Sequence, residues 1–415
     1  MEFAPDHGIQ YPCFGSGISS PKETVNPSVR VLYSFPHKLG AGRICTTAWQ
    51  QVQGAASAGT QMTVFAGSQV RALSDEVKVK TTLALGKLRV PYRLIGRDLA
   101  CHWHDLVTSW WLNAHHKEID VVHTWPLASL RTTRVAKKHG IPVVLERPNA
   151  HTAFAYEEVV KENEEVGIKL PEDHDHQFNQ ERLDLEEREY EEADYLLCPS
   201  EFVARTFSDR GFARSKLMRH QYGFDLDRFS SHQSQHEEQD GLVMIYAGVV
   251  EPRKGLHHAL KAWLASGAQE KGTFMVCGEF IPGYAELLEP MLSHPSVKVM
   301  GHRADLPELM SQSDVFVLSS VEEGSALVTY EARGAGCVLL VSDSSGAVCE
   351  HMENGLIHAA RDVEALTEHI RMMDTDRGLL DRLRLKSTSD LDKLTWNEAG
   401  RKLADVYRTV SKADA

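Results

Sequence analysis

No apolar run in this sequence approaches the roughly 20 residues that a membrane-spanning helix needs. There is no C-x-x-C pair and no regular cysteine spacing. The 7 cysteines are scattered, which reads as free buried thiols in a reducing compartment. Positive charge is also short, because 45 Lys and Arg against 58 Asp and Glu leave a formal net charge of -13. So acidic a chain lacks the basic footprint of nonspecific nucleic-acid binding. The opening residues, MEFAPDHGIQYPCFGSG, have no basic segment followed by an apolar one, as a secretory leader would. A cytoplasmic location is the expectation.

What is present is alternation of strand and helix patterns over 415 residues, too many for a single core. Residues 1–27 are rich in Pro, Gly and Ser and read as a loosely ordered arm. VRVLYSF (29–35), TQMTVFAG (60–67), DVVHTWP (120–126), IPVVLERPN (141–149) and YLLCPS (195–200) read as strands joined by helical stretches. That alternation is the mark of a parallel sheet. Residues 157–192 are dense in Glu and Asp and read as one or two solvated helices. A polar stretch, 229–241, reads as a linker. A second series follows: LVMIYAG (242–248), GTFMVCGE (272–279), VKVMG (297–301), DVFVLSS (314–320) and CVLLVSD (337–343). The expectation is therefore α/β: two Rossmann-like, doubly wound domains, 28–228 and 242–393, facing each other across a cleft. Ligands of such sheets bind beyond the carboxyl ends of the strands. The tail, 394–415, reads as a helix crossing back to the first domain.

Three stretches at carboxyl strand ends carry chemistry. EEGSALVTYEARGAG (322–336) places Glu323 in a loop and Glu331 eight residues on, in a helix. With the helix starting near Ser325, N–H groups from Gly324, Ser325, Ala326 and Leu327 form an anion site. EPRKGLHHAL (251–260) puts Arg253 and Lys254 where two cations could hold a diphosphate. DSSGAVCEHMENG (343–355) offers Ser344, Ser345 and Gly346 as a further phosphate or sugar loop. Singly, each has an ordinary reading as a capped loop, a solvated basic turn or a strand-to-helix turn. DHDH (173–176) has a metal-like composition but lies in the acidic polar segment and reads as a surface run.

In combination and order, PRKG, then E–x7–E, then SSG–x3–E resembles the family 4 retaining glycosyltransferases of GT-B fold. LGAG (39–42) matches the family's first glycine loop, through Gly40 and Gly42. DVVHTW, IPVVLE, ADYLLCPSEFVARTF (193–207), YGFDLDRF (222–229) and ENGLIH (353–358) match other family segments. The resemblance implies that Glu323 lies by the donor sugar and Glu331 by the nucleotide ribose. It puts Lys254 and Arg253 on the diphosphate, with Gly324, Ser325, Ala326 and Leu327 supplying the loop. It also implies transfer without a metal, protein cations neutralising the leaving group, and UDP-sugars as the expected donors. The acceptor, a carbohydrate or other hydroxyl compound, would be chosen by first-domain loops near 37–43, 67–75 and 147–160. Two departures stand out. Val249 occupies the place of a family Arg, for which Arg253 is expected to compensate. Trp125 replaces the second His of the family's HxH, and His151 is the candidate to face the cleft instead. A nucleotide-sugar epimerase of the same fold and a catalytically silent nucleotide-sugar binder are the alternatives. The stretch 77–111, with three tryptophans, reads as core and acceptor wall, with peripheral membrane contact as a minor reading.

Overall fold

The computed structural model describes residues 28–85, 88–89, 95–172, 174–230 and 240–412. The expected N-terminal arm and most of the expected linker lie outside them. The strands are β1 (Arg30–Leu39), β2 (Gln61–Gln69), β3 (Lys78–Thr81), β4 (Ala84–Leu85), β5 (Leu88–Arg89), β6 (Val121–Thr124), β7 (Val143–Glu146), β8 (Tyr195–Cys198) and β9 (Leu217–Arg219). The second series is β10 (Val243–Ala247), β11 (Thr273–Cys277), β12 (Val297–Gly301), β13 (Val315–Leu318), β14 (Val338–Ser342) and β15 (Gly355–His358).

They form two parallel sheets, ordered β3-β2-β1-β6-β7-β8-β9 and β12-β11-β10-β13-β14-β15, with β4 and β5 as a separate hairpin pair. Helical crossovers connect most of the parallel strands, and Val, Ile, Leu and Met side chains fill both faces. In each sheet the order reverses beside the first strand, between β1 and β6 and between β10 and β13. Such switch points open a crevice beyond the strand ends. The two crevices face one another.

Short strands account for what the sequence patterns missed. β3 and β9 have four and three residues, too few to show alternation. The acidic segment does form two helices, Thr152–Val166 and Gln180–Glu192. They are not simply solvated, since Glu162, Glu186 and Glu189 are buried. Glu189 accepts hydrogen bonds from the N–H groups of Leu127 and Ser129. Burial nevertheless pushes its carboxyl up to about 8.

Chain crossings hold the two domains together. Phe224 and Phe229 pack into the core of the second sheet. The helix Trp396–Val410 returns to the first domain, where Leu403, Val406, Tyr407 and Val410 join the core beneath β1 and β2. The Tyr407 hydroxyl bonds His123 Nδ1 at 2.7 Å. This helix lies against the helix Ile44–Ser57 at a glycine–glycine crossing: a Cβ added to Gly400 would come 2.3 Å from the Gly54 Cα. We therefore expect Gly400→Val to force the two helices apart and cost about 1–3 kcal/mol by overpacking. Thermal melting checks this. The variant should melt at a lower temperature, while Lys412→Ala, at an exposed position just beyond the same helix, should leave the melt unchanged.

Candidate active site

Where the crevices meet, a cavity of about 630 Å³ lies between the domains. Its second-domain wall is built from four strand ends. Gly248 and Val249 follow β10, Gly278 and Glu279 follow β11, and His302 and Arg303 follow β12. After β13 comes Glu323, then Ser325 and Ala326, and then the helix Leu327–Ala335. Leu327, Val328 and Glu331 lie on the helix face that lines the cavity. Lys254 reaches in from a single 3-10 turn, Pro252–Lys254. From the first domain come Arg43, Ile44, Thr47, Pro148, Asn149 and Tyr222.

The helix begins two residues later than expected, with Ala326 as its N-cap. The Ala326 N–H donates to Ser345 O at 3.3 Å, so the exposed helix start is that of Leu327 and Val328. Gly324 meets a different constraint. A Cβ there would lie 1.6 Å from the Pro148 carbonyl oxygen of the first domain, so no other residue fits. Ser200 Oγ donates to Gly324 O at 2.5 Å across the same seam.

Arg253 was expected on a diphosphate, and the structure corrects this. The side chain is buried, does not line the cavity, and is committed to carboxylates. It contacts Glu251 at 2.8 Å, Glu322 at 3.1 Å and Glu323 at 3.3 Å. It therefore does not stand in for the arginine missing at Val249; the second-domain cations that line the cavity are Lys254, whose stem lies against Gly248, and Arg303, paired with Asp305. Glu323 also pairs with Lys254. Burial pushes the Glu323 carboxyl up, but Arg253 and Lys254 outweigh it and hold it below the ordinary carboxylate range. Glu331 has no such partner among the described residues. Burial raises its carboxyl to about 7, with Arg228 opposing weakly.

Other expected positions are arranged differently. His151 does not face the cleft. Its Nδ1 accepts the Ala153 N–H at the start of the helix Thr152–Val166, and its ring packs against Tyr190 and Phe207. Gly40 and Gly42 do not line the cavity either. At φ 84° and 94° they form the turn that delivers Arg43 and Ile44 to it. Ser345 and Gly346 brace the Gly324 loop from behind: Ser345 supplies the carbonyl for Ala326, and Gly346 abuts Gly324 O. The DHDH run is not a plain surface run. His174 Nε2 bonds Glu251 at 3.0 Å, and His176 lines a second cavity, of about 320 Å³, in the first domain. The loops at 37–43 and 147–150 contribute to that second cavity, whereas 69–75 lines a separate hollow. Among the described residues one group has metal-ligand spacing, Glu162, His257 and His258. It lines neither cavity, and Arg361 also holds Glu162, at 2.7 Å.

The comparisons with known proteins agree with this geometry. Residues 46–228 match the family model described as Glycosyltransferase Family 4, and residues 241–376 match Glycosyl transferases group 1. The chain belongs to the family 4 glycosyltransferases. A Campylobacter jejuni N,N'-diacetylbacillosaminyl-diphospho-undecaprenol alpha-1,3-N-acetylgalactosaminyltransferase is 30% identical over 148 residues, 34% of this chain and 38% of that protein. A Mycobacterium tuberculosis glycogen synthase is 26% identical over 182 residues, 41% of this chain and 43% of that protein. The matched part thus spans less than half the length of these curated relatives. Among solved structures, sucrose-phosphate synthase from Thermosynechococcus elongatus superposes with a TM-score of 0.65 at 17% identity, covering 92% of this chain and 99% of that one. Anabaena HepE in complex with UDP gives a TM-score of 0.62 at 17% identity, covering 92% and 100%. At these identities the structures establish the GT-B fold alone.

Within this family 4 chain, sequence reasoning missed Arg43, Glu322, His302 and Arg303. The last two follow VKVMG directly, so their place at a strand's carboxyl end was the available signal. Glu322 is buried and accepts the Ala150 N–H from the first domain at 3.2 Å. No local pattern announces that contact. Arg253→Met should leave these buried carboxylates without their cation and cost about 3–5 kcal/mol near neutral pH. Glu323 and Glu251 are held below their ordinary range by Arg253. Their stabilisation is present above about pH 4.5 and is lost as pH falls through the depressed values. The gap in melting temperature between wild type and variant should therefore be widest near pH 7 and shrink below about pH 4.5.

Proposed function

We propose that the protein is a retaining glycosyltransferase that moves a sugar from a nucleoside diphosphate sugar, a UDP-sugar being favoured, to an acceptor hydroxyl without a metal. One observation carries this reading: a single wall of the interdomain cavity gathers Lys254, Arg303, an open helix start, Glu323 and Glu331. Cations and helix N–H groups suit a leaving diphosphate. Carboxylates suit the hydroxyls of a sugar and a ribose. Glu323, ionised between Arg253 and Lys254, would sit by the donor sugar and stabilise positive charge at the anomeric carbon. Glu331, one helical turn further in, would accept from the ribose hydroxyls.

The proposed reaction retains configuration at the anomeric carbon. The bond from the anomeric carbon to the diphosphate oxygen breaks, and its electron pair leaves with the nucleoside diphosphate. Lys254 and the helix start neutralise the departing charge. The acceptor oxygen bonds to the anomeric carbon on the same face, and its proton passes to the leaving phosphate oxygen. The first-domain cavity opens beside this point, since Arg43, Ile44, Pro148 and Asn149 line both cavities.

Donor turnover tests the reading directly. With UDP-, GDP- and ADP-sugars and no acceptor, slow nucleoside diphosphate release should occur from one donor and persist in EDTA. Glu323→Ala should reduce it by roughly 100-fold or more. Release from no donor, together with no nucleotide binding, overturns the reading. A second measurement uses pH. Glu331 carries a carboxyl raised to about 7, and its ionised form is the stronger acceptor for two ribose hydroxyls. UDP affinity should rise about tenfold between roughly pH 6 and 8, a slope that Glu331→Gln abolishes. Because the folded state holds this proton, the carboxyl's stabilising contribution is lost as pH rises through about 7. Without ligand, Glu331→Gln should thus melt higher than wild type at about pH 8.

A further inference from the structure

The smaller cavity, of about 320 Å³, lies at the carboxyl end of the first sheet and shares its inner edge with the larger one. Its lining is unlike the rest of the molecule. Four arginines, Arg43, Arg97, Arg147 and Arg182, meet only two carboxylates there, Asp175 and Glu186. The chain as a whole carries a formal charge of -13, so a local positive excess runs against the background.

The ion pairs within the cavity do not cancel it. Arg147 and Arg182 share one carboxylate, Glu186, at 3.1 and 3.0 Å. Arg97 contacts Asp175 at 2.6 Å. Arg43 forms no ion pair among the described residues. Its backbone is at φ 49° and ψ -136°, a positive-φ conformation that costs a non-glycine residue about 1 kcal/mol or more. The Gly40–Gly42 turn holds it there, at the edge common to both cavities. Arg147 is buried, and its Nε has no hydrogen-bond partner. The two histidines on the wall add no charge near neutral pH. Burial lowers His37 to about 4, with Arg97 adding to the effect, and burial lowers His176 to about 3, with Arg253 adding.

Resting on the reading of the larger cavity as the donor site, we propose that the smaller cavity binds the acceptor by a phosphate or diphosphate ester, held by Arg43, Arg97 and Arg182. Guanidinium forks match phosphate oxygens in pairs, and two uncompensated positive charges match one phosphate dianion. Arg147 is the positioning residue behind them, fixing Glu186 and through it Arg182. The acceptor hydroxyl then points across Pro148 and Asn149 toward the donor sugar. An uncharged sugar would leave the arginine excess unmatched.

The test separates this proposal from the donor assignment. Binding is measured by calorimetry with UDP saturating, so that the larger cavity is filled. The probes are glucose and myo-inositol, each beside its monophosphate, and a short-chain prenyl diphosphate sugar in detergent. The expected result is that a phosphorylated probe binds and its neutral counterpart does not. Affinity should fall about tenfold in Arg97→Ala and in Arg43→Ala, and fall with added salt. Arg97 is half-exposed, which makes its variant the safer one to fold. Binding by the soluble monophosphates or by the prenyl diphosphate alone tells which source the phosphate has, and either supports the proposal. If no phosphorylated probe binds better than its neutral partner, or if Arg97→Ala and Arg43→Ala both bind as wild type does, the proposal falls. Failure of UDP to bind in the first place would instead overturn the donor assignment.

Discussion

Arg253 is the group on which the cavity between the domains depends. It stands at the seam, buried, with Glu251, Glu322 and Glu323 around it. Three carboxylates at that depth without a cation would repel one another and lose their hydration. With the cation, they become fixed points. Glu322 takes the Ala150 N–H of the other domain, Glu251 takes His174, and Glu323 turns to Lys254 at the cavity wall. One guanidinium therefore sets the position of a catalytic candidate and the approach of the first domain together. Buried ion pairs are poor sources of stability, so an arrangement this charged is better explained by what it positions than by what it stabilises.

The seam is otherwise built from close backbone approach and a few strong polar contacts. Gly324 touches Pro148, and Ser200 closes the contact from the first domain. Farther out, Glu162 receives His258 and Arg361 from the second domain, and Arg361 also holds Glu158. At the opposite end the returning helix inserts Tyr407 against His123. His123 faces the buried Glu146, which Gln51 and Tyr222 also bond. The family-type histidine of β6 is thus part of an internal polar network, whereas Trp125, two residues on, lines the smaller cavity.

Much of this fold was legible because buried parallel strands read as short apolar runs and glycines mark their exits. The E–x7–E and PRKG stretches were legible as chemistry at strand ends. What could not be read is which way adjacent side chains turn. Arg253 and Lys254 are neighbours on a single 3-10 turn, and successive side chains on such a turn diverge; one enters the seam and the other enters the cavity. His151 looked like a cleft residue by its place after β7. The aromatic rings that claim it, Tyr190 and Phe207, arrive from later in the chain. The acidic segment looked solvated because charge density hides the positions that a tertiary partner buries. Glu186 is recognisable as internal only once Arg147 and Arg182 are seen beside it.

The eight-residue spacing of Glu323 and Glu331 has a geometric meaning in this structure. Glu323 lies in the loop after β13, four residues before the helix Leu327–Ala335 begins. Glu331 is the fifth residue of that helix, so it falls on the same face as Leu327 and Val328, about one turn from its start. The spacing thus puts one carboxylate before the open N–H groups and one beyond them along a single wall. Their environments then diverge. Two cations keep Glu323 ionised, while burial with little compensation keeps Glu331 near its titration point. In the role proposed for Glu323, beside developing positive charge, a carboxylate must be ionised throughout, and Arg253 and Lys254 favour that form. A group that only accepts from hydroxyls can wait for its ligand to complete its surroundings. The two glutamates are alike in sequence, and under the proposed function the difference in their neighbours would suit them to different tasks.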